Sequence, residues 1–427
     1  MRLRFSPAMA CLLLLLVMKM GNSVRGQPVA ASTLTGKVVC GYQGWFRCDG
    51  DGANNGWHHY AVGGKFEPGH AHIDIWPDVH ELPAEDRFAT QFRLSDGSRA
   101  EVFSSYRAST VNLHFRWMRD YGIDGIFLQR FATDARDPRF RAPMNTILDH
   151  CRQAAHRYGR NWGIMYDLSG CTPNDIDGVI EDWKNLLREK RLFRDGSDAA
   201  YFRHNHKPLI ALWGLGFADR EPMLPDWERL IHFLRHDPEF GGFAVMLGVP
   251  YHWRSLAQDA ISDPRLHRLL ATGDILCPWS VGRLATVQDA QARQESHLAP
   301  DIAMARSLKV DYLPVIFPGF SWQNLSRARG QDAPLNAIPR DAGDFLWAQA
   351  VAAKKAGSQM LYVAMFDELD EGTAIFKTLN NPPIGTSRFL AEPGLPSDHY
   401  LWLTGQIGRM LRGEIPAEAS QPKRMTP

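Results

Sequence analysis

The stretch Trp162-Gly-Ile-Met-Tyr166, followed further along the chain by Pro208-Leu-Ile-Ala-Leu-Trp213, decides the fold. Neither run alternates apolar with polar residues, as a strand with one wet face would. Both are apolar throughout, the pattern of strands covered on both faces of a parallel sheet. Between them, residues 174–190 place apolar side chains at helical spacing. The unit recurs on either side. Further apolar runs lie at 37–42, 125–128, 243–247, 275–278, 312–317 and 360–366, making eight in all. Amphipathic segments at 110–121, 143–158, 225–235, 256–270, 287–308 and 341–356 separate them, and an eighth, 397–411, follows the last. Eight strand–helix units in alternation predict the α/β class and a closed (β/α)8 TIM barrel.

The chain has 427 residues, enough for one large domain or two to three small ones. No repeat or low-complexity linker divides it, so one domain over 27–413 is the reading. Residues 44–107 are too long for a strand-to-helix loop and predict an elaborated segment after the first strand. The Pro- and charge-rich residues 414–427 predict a disordered tail. The make-up, 44% hydrophobic and 22% charged, excludes a disordered or fibrous chain.

The first 26 residues read as a secretory signal: Arg2 and Arg4 precede an apolar run from Met9 to Met18, then small and polar residues through Gly26. That run is too short to span a bilayer, and no later stretch qualifies. The expectation is a secreted or periplasmic protein with no membrane contact after cleavage. Cleavage removes four basic residues and no acid, leaving 44 Lys and Arg against 47 Asp and Glu. A balance of −3 argues against a nucleic-acid binder, which needs a basic surface excess. Of the five cysteines left, Cys40 and Cys48 flank a Gly-rich turn and are either a disulfide or two small buried residues; the odd count leaves a free thiol.

In a barrel of this kind the site lies at the strands' C-terminal ends. Tyr42, Gln43, Gly44 and Trp45 follow the first strand, Gln129 and Arg130 the second, and Tyr166 and Asp167 the third. Trp213 closes the fourth; Tyr251, His252 and Trp253 follow the fifth, Trp279 the sixth, and Phe320 and Trp322 the seventh. Asp167 needs a partner, either Arg130 or a substrate hydroxyl. His58 and His59, between Trp57 and Tyr60, form a candidate hydroxyl-binding pair. Thirteen tryptophans exceed what a core needs, and amphipathic rings at one rim suit a sugar.

After the eighth strand comes Met365-Phe-Asp-Glu-Leu-Asp-Glu-Gly-Thr373. Four carboxylates within five residues repel one another and lose hydration if buried, which raises the pKa of at least one. A general acid working at neutral pH requires that shift. Glu368 and Glu371 are three apart, so in a helical turn both project to one side. Gly372 then lets the chain turn away.

Two metal readings compete with this one. His70-x-His72-x-Asp74, with His252 and Asp367, has residue types of a metal-dependent hydrolase, though core or surface histidines are the default. Asp49-Gly-Asp51-Gly…Asn54-Asn55 has part of a calcium loop's oxygen spacing but no closing Glu, and a Gly-rich turn is the better reading. No Gly-rich phosphate loop follows a strand, so no organic cofactor is expected.

The segment Phe366-Asp-Glu-Leu-Asp-Glu-Gly-Thr373 resembles the Phe-Asn-Glu-Trp-His-Glu-Gly-Thr motif of glycoside hydrolase family 99, the endo-α-mannosidases. Val39-Cys-Gly-Tyr-Gln-Gly-Trp45 and Asp74-Ile-Trp-Pro-Asp78 are similar to the broader family 71/99-like group, often labelled xylosidase/arabinosidase. The resemblance runs from about Lys37 to Phe376. It implies a (β/α)8 glycoside hydrolase, acting with retention. The motif's first Glu, here Glu368, would take a proton from the substrate's own 2-hydroxyl, which attacks C1 to give a 1,2-anhydro sugar. The second, Glu371, would protonate the leaving oxygen and later activate water. Asp367, Leu369 and Asp370 stand where the family has Asn, Trp and His. The expected partner is a carbohydrate and the expected state a monomer; a catalytically inert carbohydrate-binding protein is the other class that keeps the aromatic rim.

Overall fold

The computed structural model describes residues 29–30, 32–193, 198–220 and 222–424; the predicted leader, 1–26, lies outside them. Strand β1 (Val38–Tyr42) pairs with β2 (Gly125–Phe131), and β2 with β3 (Asn161–Asp167). Pairing continues through β4 (Lys207–Trp213), β5 (Ala244–Val249) and β6 (Ile275–Pro278), all parallel. The seventh strand, β7, is held in two short segments. Asp311–Tyr312 pairs with β6, and Val315–Ile316 pairs with β8 (Leu361–Val363). Pro314 between them has no N–H to give, yet its carbonyl still accepts from Tyr362 at 3.0 Å. β8 returns to β1, so the ring closes into the predicted eight-stranded barrel.

Helices cover the outside: α1 (Ala108–Tyr121), α2 (Pro138–Tyr158), α3 (Ile176–Glu189), α4 (Leu224–His236) and α5 (Arg265–Leu270). They continue with α6 (Val287–Arg293), α7 (Ala299–Ser307), the short α8 (Gln323–Ala328), α9 (Asp344–Lys355) and α10 (His399–Leu411). Local chemistry sets their ends. Asp137 caps α2 through the Arg139 N–H ahead of Pro138, and Thr286 and Asp289 form a capping box on α6. The segment 256–270 is helical only over α5, because Leu256 and Gln258 adopt positive φ and turn the chain. Likewise 287–308 is two helices joined by a π turn at Gln294–Leu298.

The strands carry two apolar faces, as their unbroken hydrophobicity requires. Val39, Phe127, Met165, Ala211, Met246, Cys277, Val315 and Tyr362 fill the barrel interior. Their sequence neighbours Cys40, Tyr42, Ile126, Ile164, Tyr166, Leu212, Leu247 and Val363 pack outward under the helices. Residues 44–107 form the elaborated segment and include an antiparallel hairpin, Phe88–Arg93 with Arg99–Val102.

One open alternative is decided and one expectation is corrected. Cys40 and Cys48 are not bridged: both are buried free thiols, with the Cys48 Sγ at 3.1 Å from the Phe103 carbonyl. Cys40 points outward under the helices, where a small apolar side chain is what packing asks for. Nor is the C-terminal stretch disordered through 424. Ile415 and Ala417 pack on the core, Trp347 donates to the Glu418 carbonyl at 2.9 Å, and Arg424 grips Asp398 with two bonds of 2.6 and 2.8 Å. Its polar composition hid these anchors. No helix among the described residues is long and apolar enough to cross a membrane. Truncation after Gly413 is expected to lower stability by about 1–3 kcal/mol, measured by urea unfolding, where a disordered tail would leave the midpoint unchanged.

Candidate active site

The strand order that packs the barrel also chooses what reaches its mouth. Two residues past an interior position, a side chain again points inward. From Val39 this leads to Gln43 and Trp45; from Phe127 to Gln129 and Phe131; from Met165 to Asp167 and Ser169. From Ala211 it leads to Trp213, and from Cys277 to Trp279. All of these line one cleft of about 610 Å³, together with His59, His72, Leu325, Ala328, Arg329, Met365, Glu368, Asp370 and Glu371.

The loop after β8 supplies the carboxyls. A cis peptide joins Ala364 to Met365, and residues 369–372 form a turn, not a helix. The turn still brings Glu368 and Glu371 to the same cleft. Asp367 faces away from it and clamps the loop to β1, accepting from the Gln43 N–H at 2.7 Å and the Gly44 N–H at 2.9 Å. Glu368, 5% exposed, accepts from Gln43 Nε2 at 2.7 Å and from the Thr373 hydroxyl at 2.8 Å. The Glu371 carboxyl makes no hydrogen bond with the described residues. Gly372 sits at φ +64, and a Cβ there would lie 2.9 Å from Ser321, so only glycine fits the turn.

Burial dominates the electrostatics. It lifts Glu371 to about 7, with Asp370 raising it further and Arg329 opposing. Asp370 and Asp367 are also lifted by burial to about 7, and Glu368 is pushed well above the carboxylate range by burial, then by Glu371 and Asp370. The protons of Glu368, Asp370 and Glu371 therefore belong to the cluster, not to single residues.

One wall is an aromatic stack. The His59 ring lies on Trp45 at 3.7 Å and 8°, and Trp45 stacks on Phe131 at 5.1 Å. His59 Nδ1 meets Asp370 Oδ2 at 3.1 Å, and burial drops the His59 pKa to about 3, so the ring is neutral. With Asp370 ionised the proton sits on Nδ1, which leaves Nε2 free to accept a hydrogen bond from a ligand. Trp213 and Trp279 meet edge to face at 5.3 Å, and the Arg220 guanidinium lies over Trp213 at 5.2 Å. Gln43 Oε1, Gln129 Oε1, Asp370 Oδ1 and the indole nitrogens of Trp45 and Trp213 are buried without a protein partner. Such atoms in a cleft mark where a polar ligand's groups belong.

Several predicted site residues lie elsewhere. Tyr42, Arg130 and Tyr166 have the opposite strand parity and point outward. Tyr42 bonds to His114 Nδ1 at 2.9 Å; Arg130 makes a two-bond pair with Asp182 on α3, at 2.6 and 2.7 Å; Tyr166 donates to the same carboxylate at 2.5 Å. Arg130 is thus not the partner of Asp167, which accepts from the Ser169 N–H at 2.7 Å. His58 turns from the cleft, its Nδ1 at 3.1 Å from the Trp45 carbonyl. After β5, Tyr251 stacks on His297, His252 pairs with Asp259 at 2.8 Å, and Trp253 donates to Asp301 at 3.2 Å. Trp322 packs against Phe320 outside the cleft. The metal-type set is dispersed, with His70 beside Glu67 and His252 on Asp259. Asp51 closes its Gly-rich turn through Cys48 N, Ala53 N and the Ser104 hydroxyl, as a turn and not an ion site. His72, Leu325, Ala328 and Arg329 in the cleft carried no sequence signal for sugar binding.

No family model matches the sequence, and no curated protein matches it. Solved structures do. The endo-α-mannosidase of glycoside hydrolase family 99 from Bacteroides thetaiotaomicron superposes with a TM-score of 0.62 at 14% identity, over 90% of this chain and 99% of that one. A second structure of that enzyme gives the same score over 89% of this chain. A glycoside hydrolase-like protein gives 0.56 at 11% identity, over 91% and 97%. The fold is that of the family 99 endo-α-mannosidases. Within it, Leu369 is fully buried and its carbonyl accepts from the Asp74 and Ile75 N–H groups, so no aromatic ring enters the cleft at the position of the family's Trp.

Removing Asp182 would strand the Arg130 guanidinium in the interior. Asp182→Ala is expected to cost about 3–5 kcal/mol, while Arg130→Met with Asp182→Leu recovers most of it; denaturant titration of the three proteins checks this.

Proposed function

We propose that this protein is an exported glycoside hydrolase that cleaves glycosidic bonds in a polysaccharide or glycan with retention of configuration. The observation that carries the reading is the placement of Glu368 and Glu371 on one cleft wall, differently held, beside tryptophan and unpartnered polar atoms. The leader at 1–26 supports export.

The two glutamates suit different tasks. Glu371 is unbonded and lifted to about 7, so it is protonated on the acid side of neutrality and can give that proton to the departing glycosidic oxygen. Glu368 is fixed by Gln43 and Thr373, and burial makes it a stronger base than a solvated carboxylate once its proton is lost. A strong base is what a sugar 2-hydroxyl demands. The family resemblance supplies the sequence: the 2-oxygen attacks C1 as Glu368 takes its proton and Glu371 protonates the leaving group. Water then opens the 1,2-anhydro ring, giving a proton to Glu371 while Glu368 returns one to the 2-oxygen. His59, oriented by Asp370, would accept from a neighbouring sugar hydroxyl.

The first test is hydrolysis of α-mannan, xylan, arabinan, and fucosylated and sulfated polysaccharides, with and without chelator. Glu371→Gln and Glu368→Gln are each expected to lose about 10²–10⁴-fold in turnover, while chelator leaves the wild type unchanged. Equal activity in the Glu371 variant overturns its assignment; loss with chelator favours metal chemistry; binding without turnover favours an inert receptor. The pH profile is a separate check. The active form has Glu368 ionised and one proton left on the pair for Glu371, so rate falls on the alkaline side as the pair loses that last proton. Asp370→Asn removes a charge that holds this proton, so that limb moves to lower pH. Arg329→Gln removes an opposing charge and moves it to higher pH.

A further inference from the structure

A second groove, of about 590 Å³, lies on the elaborated segment outside the catalytic cleft. It is lined by the exposed face of the hairpin, Ala89, Gln91, Arg93 and Arg99, and by Trp57 and Lys65 from the preceding loop, with Thr90, Gly64, Phe66 and Glu67 completing it. Arg93 and Arg99 stand directly opposite each other in the antiparallel register. Like charges in that position repel and weaken a hairpin unless an anion comes between them. None does from among the described residues. Arg93 donates only to the Gly97 carbonyl, at 3.3 Å, and neither Arg99 nor Lys65 pairs with a carboxylate among the described residues. The lining carboxylate, Glu67, lies against His70 at 3.7 Å.

Trp57 adds a second chemistry. Its ring is half-buried against Phe66 and Tyr60, with centroids 5.3 and 6.3 Å away, and it lines the groove. A flat amphipathic ring beside unpaired guanidinium groups fits a sugar that carries a negative charge: the ring takes the apolar face and the fork takes the charged group. Packed rings fill the space between the groove and the cleft: Tyr60 on Phe46 at 4.9 Å, Phe46 on His59 at 6.1 Å, and His59 on Trp45. We infer that this groove binds an acidic polysaccharide, through its carboxylate or sulfate groups, as a site separate from the Glu368–Glu371 cleft. Binding here does not require turnover and so stands apart from the proposed hydrolysis.

The test is affinity electrophoresis of the full chain in gels containing polygalacturonate, dextran sulfate, neutral dextran or double-stranded DNA. Retardation is expected with one or both acidic polysaccharides, and which of them acts identifies carboxylate or sulfate as the group held. Arg93→Gln with Arg99→Gln should weaken it at least tenfold, and Trp57→Ala should weaken polysaccharide binding at equal charge. Thermal melts check that the variants fold, and Lys65→Gln gives a second, exposed probe of the same groove. Glu371→Gln should bind like the wild type. Retardation unchanged in the arginine and lysine variants, equal retardation by neutral dextran, or equally tight DNA binding indifferent to Trp57 would each overturn the proposal.

Discussion

Asp367 holds the site together. Its two carboxylate oxygens take the N–H groups of Gln43 and Gly44, which joins the end of the last barrel strand to the end of the first. That clamp sets Gln43, and Gln43 in turn holds Glu368. It also fixes where the chain leaves β1, and so where Trp45 begins the stack with His59 that meets Asp370. One buried carboxyl thus orients an acidic turn it does not itself join at the cleft. Its cost is desolvation, offset by two backbone donors that would otherwise be buried without partners.

The barrel was legible because its signal is redundant. Eight unbroken apolar runs separated by amphipathic segments survive an error at any one of them, and Pro314, which splits β7, did not disturb the count. The rim was legible only in part, for a reason visible in Gln129 and Arg130. Adjacent strand residues point to opposite faces, so a list of residues near strand ends mixes cleft side chains with outward ones. Met165 and Val39, once known to point inward, would have selected Asp167 and Gln43 and rejected Tyr166 and Tyr42. A run apolar on both faces does not say which parity is inside. The outward polar residues found other work: Arg130 and Tyr166 share Asp182 across the sheet–helix layer.

Loops gave less. Tyr251, His252 and Trp253 follow a strand end and a proline, but Asp259 takes the His252 side chain and both the Tyr251 and His252 N–H groups. That carboxylate folds the segment onto itself instead of over the cleft. Arg329 shows the opposite case. It reaches the cleft from the end of α8, a six-residue helix with no periodic pattern long enough to place it.

The arrangement of charge divides the molecule's surface by task. Glu368, Asp370 and Glu371 make the candidate cleft acidic, and burial keeps protons on them near neutrality. An acidic sugar seated against that cluster would have to share the low-dielectric space with it, or lose its own charge. Arg329 is the cation that lines the cleft, and it offsets only part of this field. Arg93, Arg99 and Lys65, which pair with no carboxylate among the described residues, lie instead at the hairpin, on the far side of the Tyr60–Phe46–His59 packing. A polymer with spaced acidic groups could satisfy both environments at once, with an uncharged unit at the carboxyls and a charged unit at Arg93 and Arg99. A short neutral oligosaccharide would meet only the first. If both proposed sites bind as inferred, the chain length and charge spacing of a glycan are what the two grooves together would read.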